Sequence, residues 1–281
     1  MKISRTARAA VTVGLIGAVV GCSPLGSRAG DAAPDGQESG DSRPAARNET
    51  AGYATADRLP ERVASDGTTI VVGNPAARST VHVYEDPRCP VVEEYEQTGA
   101  EGVQELLLAG EVRAQYTFAS FKDERLGGDG SKRAVNALRA ALDKGRFVEF
   151  HAVLFENRTA VENSGGFTTE RLLKLAGKVP GLRGEDFDLA VRTMKYRPFV
   201  TASQQAYERT GDDPIGPGTP TVVVNGHPID GGLYGVNFDA ELLPLLVTDL
   251  HERPHTWDSV YTPLKRKLEA QAEAETETAG S

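Results

Sequence analysis

The side chain best suited to chemistry in this sequence is a cysteine followed by a proline, Cys89-Pro90. Proline suits the first position of a helix, because its missing N–H has no partner there. A cysteine just before that position faces unpaired backbone N–H groups and the positive end of the helix dipole, and the cation of Arg88 is its neighbour. These surroundings favour the thiolate, which is the nucleophilic form. The pair therefore predicts thiol chemistry at Cys89.

The only other cysteine, Cys22, stands in a different setting. Basic residues come first, and an apolar run over residues 9–20 follows, which is too short to span a bilayer as a helix. The run ends in Val19-Val20-Gly21-Cys22, which resembles a lipobox. The resemblance implies a lipoprotein signal peptide over residues 1–21 and a lipid-modified Cys22, since two acyl chains anchor a protein stably. The alternative is an ordinary secretory signal in which Cys22 is incidental.

Other candidates for chemistry are weaker. Two cysteines exclude a disulfide framework and any cysteine-rich zinc site. Pro254 interrupts the helical spacing of His251 and His255, so we interpret these histidines as part of a surface tail. We predict no metal site and no cofactor. We interpret His82 as a histidine of the core or of an interface. We interpret the acidic pairs Glu93-Glu94 and Asp212-Asp213 as solvated charges, not as catalytic carboxylates.

The charge of the chain limits its partners. With 40 acidic and 31 basic side chains among 281 residues, the formal charge is −9 at pH 7. Binding to nucleic acid needs a surplus of lysine and arginine for the phosphates, so we predict no nucleic-acid partner. The excess negative charge instead favours solubility.

The apolar pattern predicts an α/β fold. Alternation or β-branched runs predict strands near residues 69–72, 81–84, 112–118 and 222–224, and Asn225-Gly226 predicts a hairpin after the last of these. Helical spacing predicts a helix from Cys89 to about residue 109, a block of helices after residue 118, and a final helix over residues 238–246. The expected order is therefore β-β-α-β, a helical block, β-β and α.

Composition divides the chain into segments. Residues 22–66 are rich in Gly, Pro, Ser, Asp and Ala, which predicts a disordered, lipidated tether after the signal peptide. The folded domain is expected over residues 67–250, with a helical insert over about residues 125–210. Residues 251–281 are expected to form a C-terminal tail, whose Ala- and Glu-rich end frays into solvent.

Two motifs resemble the DsbA-like thioredoxin family. The run from Val81 to Pro90 is similar to that family's passage from a strand to its active site. The run from Gly218 to Gly226 is similar to its cis-proline strand and hairpin. The resemblance implies a thioredoxin-like mixed central sheet with an inserted helical subdomain. It covers roughly residues 68–250.

The resemblance also implies roles for individual residues. Cys89 would be the attacking cysteine, and a cis bond at Thr219-Pro220 would turn the backbone of Thr219 toward the thiol. In the family that backbone pairs with an extended substrate segment, a form of β-augmentation. Pro90, Thr219 and Pro220 are therefore the expected substrate-binding residues.

The sequence departs from this family at three positions. Val92 occupies the position of the family's second active-site cysteine, so the motif reads Cys-Pro-Val-Val and the domain cannot hold an internal disulfide. Val91 occupies the position of a histidine that often follows the Cys-Pro pair, and Val83 occupies that of a buried acid on the preceding strand. Acidic side chains at the start of the helix oppose thiolate formation, namely Glu93, Glu94 and Glu96.

Two functions remain open. In the first, Cys89 performs monothiol exchange with a protein or small-thiol partner, on the extracytoplasmic face of a bacterial membrane to which Cys22 anchors the chain. In the second, the domain keeps the fold without redox chemistry and serves as a binding or scaffold lipoprotein. A solute-binding lipoprotein is disfavoured, because its two large lobes need a longer chain. The oligomeric state is left open.

Overall fold

The computed structural model describes residues 52–213 and 215–279. The predicted signal peptide, Cys22 and the tether up to residue 51 lie outside the described residues. Within the described part, the strands are β1 Glu61–Val63, β2 Thr69–Gly73, β3 Ser79–Glu85, β4 Val112–Phe118, β5 Thr221–Val224 and β6 His227–Pro228. The α-helices are α1 Pro90–Glu96, α2 Gly99–Leu108, α3 Lys122–Leu126, α4 Gly130–Leu142, α5 Phe147–Glu156, α6 Arg158–Asn163, α7 Thr169–Ala176, α8 Glu185–Thr193, α9 Arg197–Glu208, α10 Leu242–Glu252 and α11 Thr262–Ala279.

The strands form one mixed sheet in the order β1-β2-β4-β3-β5-β6. β3 runs parallel to β4, and the other neighbouring pairs are antiparallel. Val81 of β3 is opposite Ala114 on one side and Val224 on the other, which places β3 inside the sheet. Alternate residues of β3 are buried, as the sequence alternation predicts, and they include Val83 and Glu85.

Helices α3 to α9 lie between β4 and β5 in the chain and form the predicted helical insert. Their apolar faces join those of the sheet in one core. The mixed sheet with inserted helices confirms the predicted α/β fold class. No helix in the described part of the chain combines the length and the apolar character that crossing a bilayer requires.

The helix expected from Cys89 to about residue 109 is interrupted at Gln97 and Thr98, between α1 and α2. A Cβ atom on Gly99 would lie 2.0 Å from the carbonyl oxygen of Asn237, and one on Gly102 would lie 2.2 Å from that of Ala240. These glycines therefore allow α2 to contact the backbone of the 3₁₀-helical segment Gly231–Phe238 and the turn after it.

The prediction that a disordered tether extends to residue 66 is wrong at its C-terminal end. Leu59 is buried, and β1 pairs with β2. The Glu61 carboxylate accepts hydrogen bonds from the backbone N–H groups of Phe147 (3.0 Å) and Val148 (3.2 Å) at the start of α5. Since the first N–H groups of a helix have no partner within the helix, this contact explains why the segment is ordered.

The prediction of a C-terminal tail over residues 251–281, with an end that frays into solvent, is also wrong for the described residues. α10 continues to Glu252, and the Ala- and Glu-rich end forms α11, because Ala and Glu are strong helix formers. Within α11, Glu269 accepts a hydrogen bond from the backbone N–H of Gly232 at 3.3 Å. His251 is not part of a surface tail: its Nδ1 lies 2.8 Å from Oγ of Ser79.

Candidate active site around Cys89

Cys89 occupies the N-cap position of α1, and Pro90 is the first helical residue. The Cys89 Sγ–H donates a hydrogen bond to the carbonyl oxygen of Thr219 at 3.3 Å. The Thr219-Pro220 peptide bond is cis, as the sequence motif predicts. The structure therefore brings together all four residues that sequence analysis assigned to one site. Pro90 is exposed, Thr219 is half-buried and Pro220 is buried.

The sulfur has little access to solvent. Cys89 is 2% exposed, and it is the only cysteine among the described residues. Val92, at the position of the family's second cysteine, is 0% exposed and belongs to the core. Within the described residues, the site therefore offers one sulfur, and its neighbour on α1 is a packed aliphatic side chain.

A buried carboxylate fixes the loop that leads from β3 to Cys89. Asp86 accepts hydrogen bonds from Oγ of Ser131 at 2.6 Å and from the backbone N–H groups of Lys122 (2.9 Å) and Arg88 (3.0 Å). Burial raises the pKa of Asp86 to about 6, against the effect of these donors. Because Ser131 and Lys122 belong to the insert, Asp86 connects the loop before Cys89 to α3 and α4.

Arg88 is turned away from the exposed surface into the helical insert. Its Nη1 donates to Asp123 (3.1 Å) and to the carbonyl of Gly127 (2.9 Å), and its Nη2 donates to Glu162 (3.0 Å). Both acids therefore compensate its charge. This arrangement corrects the interpretation of Arg88 as a cation available to stabilise the Cys89 thiolate.

Glu93 is not a solvated charge, so that interpretation is also corrected. The Nε of Arg158 donates to Glu93 at 2.9 Å, and the backbone N–H of Thr159 donates to the same carboxylate at 3.1 Å. Burial opposes its ionisation, but the hydrogen bonds from Thr159 and Arg158 lower the pKa of Glu93. Arg158 also donates to the carbonyl of Arg88 at 2.8 Å, so α6 holds the residue before Cys89 directly.

Tyr207 supports the cis-proline segment, and sequence analysis did not find it. Its hydroxyl oxygen accepts a hydrogen bond from the backbone N–H of Gly218 at 3.0 Å. A Cβ atom on Gly216 would lie 2.3 Å from the Tyr207 ring, and Gly216 has a φ of +90°, so a glycine is required there. The glycines on either side of Pro217 were the available signal, because both take positive φ values and Gly216 leaves no room for a side chain beside Tyr207.

A cavity of about 310 Å³ adjoins Thr219 on the side of the insert. Its walls combine aromatic, aliphatic, basic and acidic side chains, and Ile215 among them is 65% exposed. Such a surface can hold an apolar side chain next to the sulfur site. The lining residues are Phe121, Lys122, Glu124, Arg125, Tyr207, Ile215, Gly216, Gly218 and Thr219.

A buried acid lies on β3, but not at Val83, the position that the family resemblance implies. Val83 is apolar and 2% exposed, whereas Glu85, two residues further along the same buried face, is 0% exposed. Burial raises the pKa of Glu85 to about 8. Its neighbours are Glu96 and His151, a group that sequence spacing did not reveal.

One helix-capping cysteine beside a cis-proline, on a mixed sheet with inserted helices, defines a thioredoxin-fold protein. A family model described as "Thioredoxin" matches residues 65–235, which is more than half of the chain, so this protein belongs to the thioredoxin family. No curated protein matches the sequence.

Solved structures with the same fold include thiol-disulfide oxidoreductases. The MdbA protein of Actinomyces oris is 22% identical, with a TM-score of 0.54 over 69% of this chain and 90% of that chain. The MdbA protein of Corynebacterium diphtheriae is 18% identical, with a TM-score of 0.53 over 69% of this chain and 99% of that chain. BdbD of Bacillus subtilis is 20% identical, with a TM-score of 0.54 over 65% and 92%. At these identities, the likeness concerns the fold.

Proposed function

We propose that this thioredoxin-family protein performs monothiol exchange through Cys89. The observation that carries the proposal is the 3.3 Å contact between the Cys89 sulfur and the carbonyl of Thr219, beside Pro220. It holds the sulfur next to a backbone segment that a partner can pair with. The two MdbA proteins of the same fold, which are thiol-disulfide oxidoreductases, add support, although their identity to this chain is low.

The reaction proceeds in two exchanges. The Cys89 thiolate attacks one sulfur of a partner disulfide, a bond forms between Cys89 and that sulfur, and the other sulfur leaves as a thiolate that takes up a proton. An external thiol then attacks the partner sulfur of the mixed disulfide and restores Cys89. The chain is neither oxidised nor reduced over the cycle, and the disulfide moves from one external partner to another.

The binding surface consists of Pro90, Thr219 and Pro220 with the adjoining cavity. An extended partner segment would pair with the backbone of Thr219, and an apolar side chain of that segment would enter the cavity near Ile215. The partner is a protein disulfide or a small disulfide. Tyr207 acts as a positioning residue, since it holds Gly218 just before this surface.

We further propose that Cys22 carries the lipid anchor. Residues 1–21 would be removed as a signal peptide, and the chain after Cys22 would tether the domain to the extracytoplasmic face of the bacterial cell membrane. Cys22→Ser should release the protein from the membrane fraction and abolish incorporation of labelled fatty acid. Retention of the label in Cys22→Ser would contradict the anchor.

A non-catalytic binding function is the second candidate, and the 2% exposure of Cys89 favours it. A partner would then occupy the surface beside Thr219 without attack by the sulfur. Exchange requires the sulfur to become accessible when α1 and the cis-proline segment move apart or a partner displaces their contact. The two candidates therefore differ in the reactivity of the folded protein.

The deciding experiment incubates the folded protein with oxidised glutathione that carries a fluorescent label. Monothiol exchange predicts one label per chain on Cys89, its release by added thiol, and no label on Cys89→Ser. If the folded protein takes up no label but the urea-unfolded protein does, the binding function is the correct one. If the folded protein is labelled, mixed disulfides trapped on Cys89 in cells would identify the partner.

A further inference from the structure

A second cluster of polar side chains lies inside the domain, apart from the sulfur. His151 of α5 sits between Glu85 at the end of β3 and Glu96 at the end of α1. Its Nε2 is 2.8 Å from Oε2 of Glu85, and its Nδ1 is 3.6 Å from Oε2 of Glu96. One ligand atom from each of the three residues lies within 4.8 Å of the other two.

Each of the two carboxylates has one oxygen without a hydrogen-bond donor. Glu85 is 0% exposed, and its Oε1 has no hydrogen-bond partner; Oε1 of Glu96 is also buried and without a partner. Across residues 52–213 and 215–279, the ion pairs of these carboxylates are made with His151, not with lysine or arginine. Two buried carboxylates without a fixed cation are costly, unless they bind a metal or are protonated.

The surroundings suit a small cation with room for water. Aromatic rings enclose His151, with those of Tyr116 and Phe155 at centroid distances of 4.9 Å. The same two rings, together with Glu96 and His151, line a cavity of about 360 Å³. The cluster is therefore bordered by aromatic rings and adjoins a cavity that can supply water.

We propose that Glu85, Glu96 and His151 form a binding site for a divalent transition metal, with Zn²⁺ as the preferred ion. One imidazole nitrogen and two carboxylate oxygens are ligands that Zn²⁺ accepts, and three protein ligands leave a fourth position for water from the cavity. Around tetrahedral zinc with bonds of about 2.0–2.2 Å, neighbouring ligand atoms lie about 3.3–3.6 Å apart. The 2.8 Å contact between His151 and Glu85 must therefore widen, and small rotations of the glutamate side chains must complete the shell.

The three ligands come from β3, α1 and α5, so a bound ion would join the sheet, the helix that begins at Cys89 and the insert. The two glutamates belong to the elements on either side of Cys89, while the ion itself would be bound without sulfur. The proposal therefore does not depend on exchange at Cys89.

The test uses the Cys89→Ser protein with Cys22 also changed to Ser, because a free thiol also binds zinc. After treatment with a chelator and dialysis, titration with ZnCl₂ should give one tightly bound zinc per chain by calorimetry and by metal analysis. Glu96→Gln and His151→Asn should each weaken the binding at least about tenfold. Glu94→Gln removes an exposed carboxylate from the same helix and should leave the zinc affinity unchanged.

Two further measurements remain informative if a ligand variant fails to fold. Zinc should raise the thermal midpoint of the same double variant, whereas magnesium should not. Cobalt in place of zinc should give visible absorption without the sulfur charge-transfer band of a thiolate ligand. Binding of less than one zinc per chain, or an equal affinity in Glu96→Gln and Glu94→Gln, would overturn the proposal.

Discussion

Arg88 and Asp123 form a buried ion pair with 3.1 Å between Nη1 and Oδ1, and their side chains are 8% and 2% exposed. Arg88 precedes the cysteine, while Asp123 belongs to α3 of the insert. Asp123 also accepts from the backbone N–H groups of Ser131 (2.8 Å) and Lys132 (3.1 Å). The position of the cysteine loop therefore depends on the insert through charged hydrogen bonds shielded from water.

The first prediction concerns this ion pair. Arg88→Ala leaves Asp123 and Glu162 without their cation, and breaking a buried pair typically costs about 3–5 kcal/mol of the free energy of unfolding. Arg133→Ala is the matched control, because its pair with Asp129 is 35% and 51% exposed and should be worth at most about 1 kcal/mol. Urea unfolding at pH 7 measures both. Equal losses in the two variants would contradict this account of Arg88.

The second prediction restores a second sulfur. Val92→Cys places a thiol one helical turn after Cys89, within the Cα separation of about 4.4–6.8 Å that a disulfide needs. We expect the oxidised variant to hold an internal disulfide and to transfer it to a reduced peptide, which the natural sequence cannot do. Thiol counting and mass spectrometry measure the bond, and a peptide-oxidation assay measures the transfer.

Val91→Cys is the control for this change, since its side chain is half-buried and leaves the helix in another direction. It should retain two free thiols under the same oxidising conditions. If Val92→Cys also keeps two free thiols, the correspondence of Val92 with the family's second cysteine is wrong.

The third prediction concerns acid stability. Burial lowers the pKa of His82 to about 4, against the opposing effect of Asp66, and Nε2 of His82 lies 2.9 Å from Oγ1 of Thr117. An unfolded histidine has a pKa of about 6.5, so the unfolded state takes up a proton first as pH falls. Neutral His82 therefore contributes fully to the free energy of unfolding above about pH 6.5, and this contribution is lost as the pH falls from about 6.5 to 4. A difference of about 2.5 pKa units corresponds to on the order of 3 kcal/mol.

The free energy of unfolding, measured in urea between pH 4 and pH 7, tests this assignment. His82→Gln should reduce the pH dependence over this interval, whereas His255→Gln, at an exposed position, should reproduce that of the natural sequence. A profile for His82→Gln that follows the natural one would show that other groups cause the acid sensitivity.

The fourth prediction concerns the approach of α2 to the 3₁₀-helical segment. Gly99→Ala places a methyl group 2.0 Å from the carbonyl oxygen of Asn237, so backbone must move at a cost of about 1–3 kcal/mol or more. Gly235→Ala, within the same 3₁₀-helical segment, has no atom within 4 Å of its new methyl group and should change stability little. Thermal unfolding compares the two. If Gly99→Ala is as stable as the natural sequence, the 3₁₀-helical segment can move away from α2 at little cost.

The strands of the site could be predicted from the sequence because their signals are local. Alternation along Ser79–Glu85 and Val112–Phe118 defines two strands, and Asn225 and Gly226 take the positive φ values of +51° and +86° that their hairpin turn requires. β1 could not be predicted in this way. It has three residues, and its order depends on the distant contact between Glu61 and α5.

The partners of charged residues were the main failure of sequence analysis. Arg88, Glu93 and Glu96 appeared as charges near the sulfur, but their partners lie far away in the chain and meet them only in the folded protein. One signal was available: Glu85 follows Val81 and Val83 on the buried face of β3. A carboxylate on that face indicates a buried acid, although the alternation of apolar residues does not reveal its partners.

The anchoring of β1 also has a mechanical consequence. β1 is a three-residue edge strand, and Glu61 within it accepts the first N–H groups of α5, the helix that carries His151. A force applied to the chain before Tyr53 therefore does not meet a flexible segment that extends to residue 66. It is transmitted to β1 at the edge of the sheet and, through Glu61, to the amino end of a core helix.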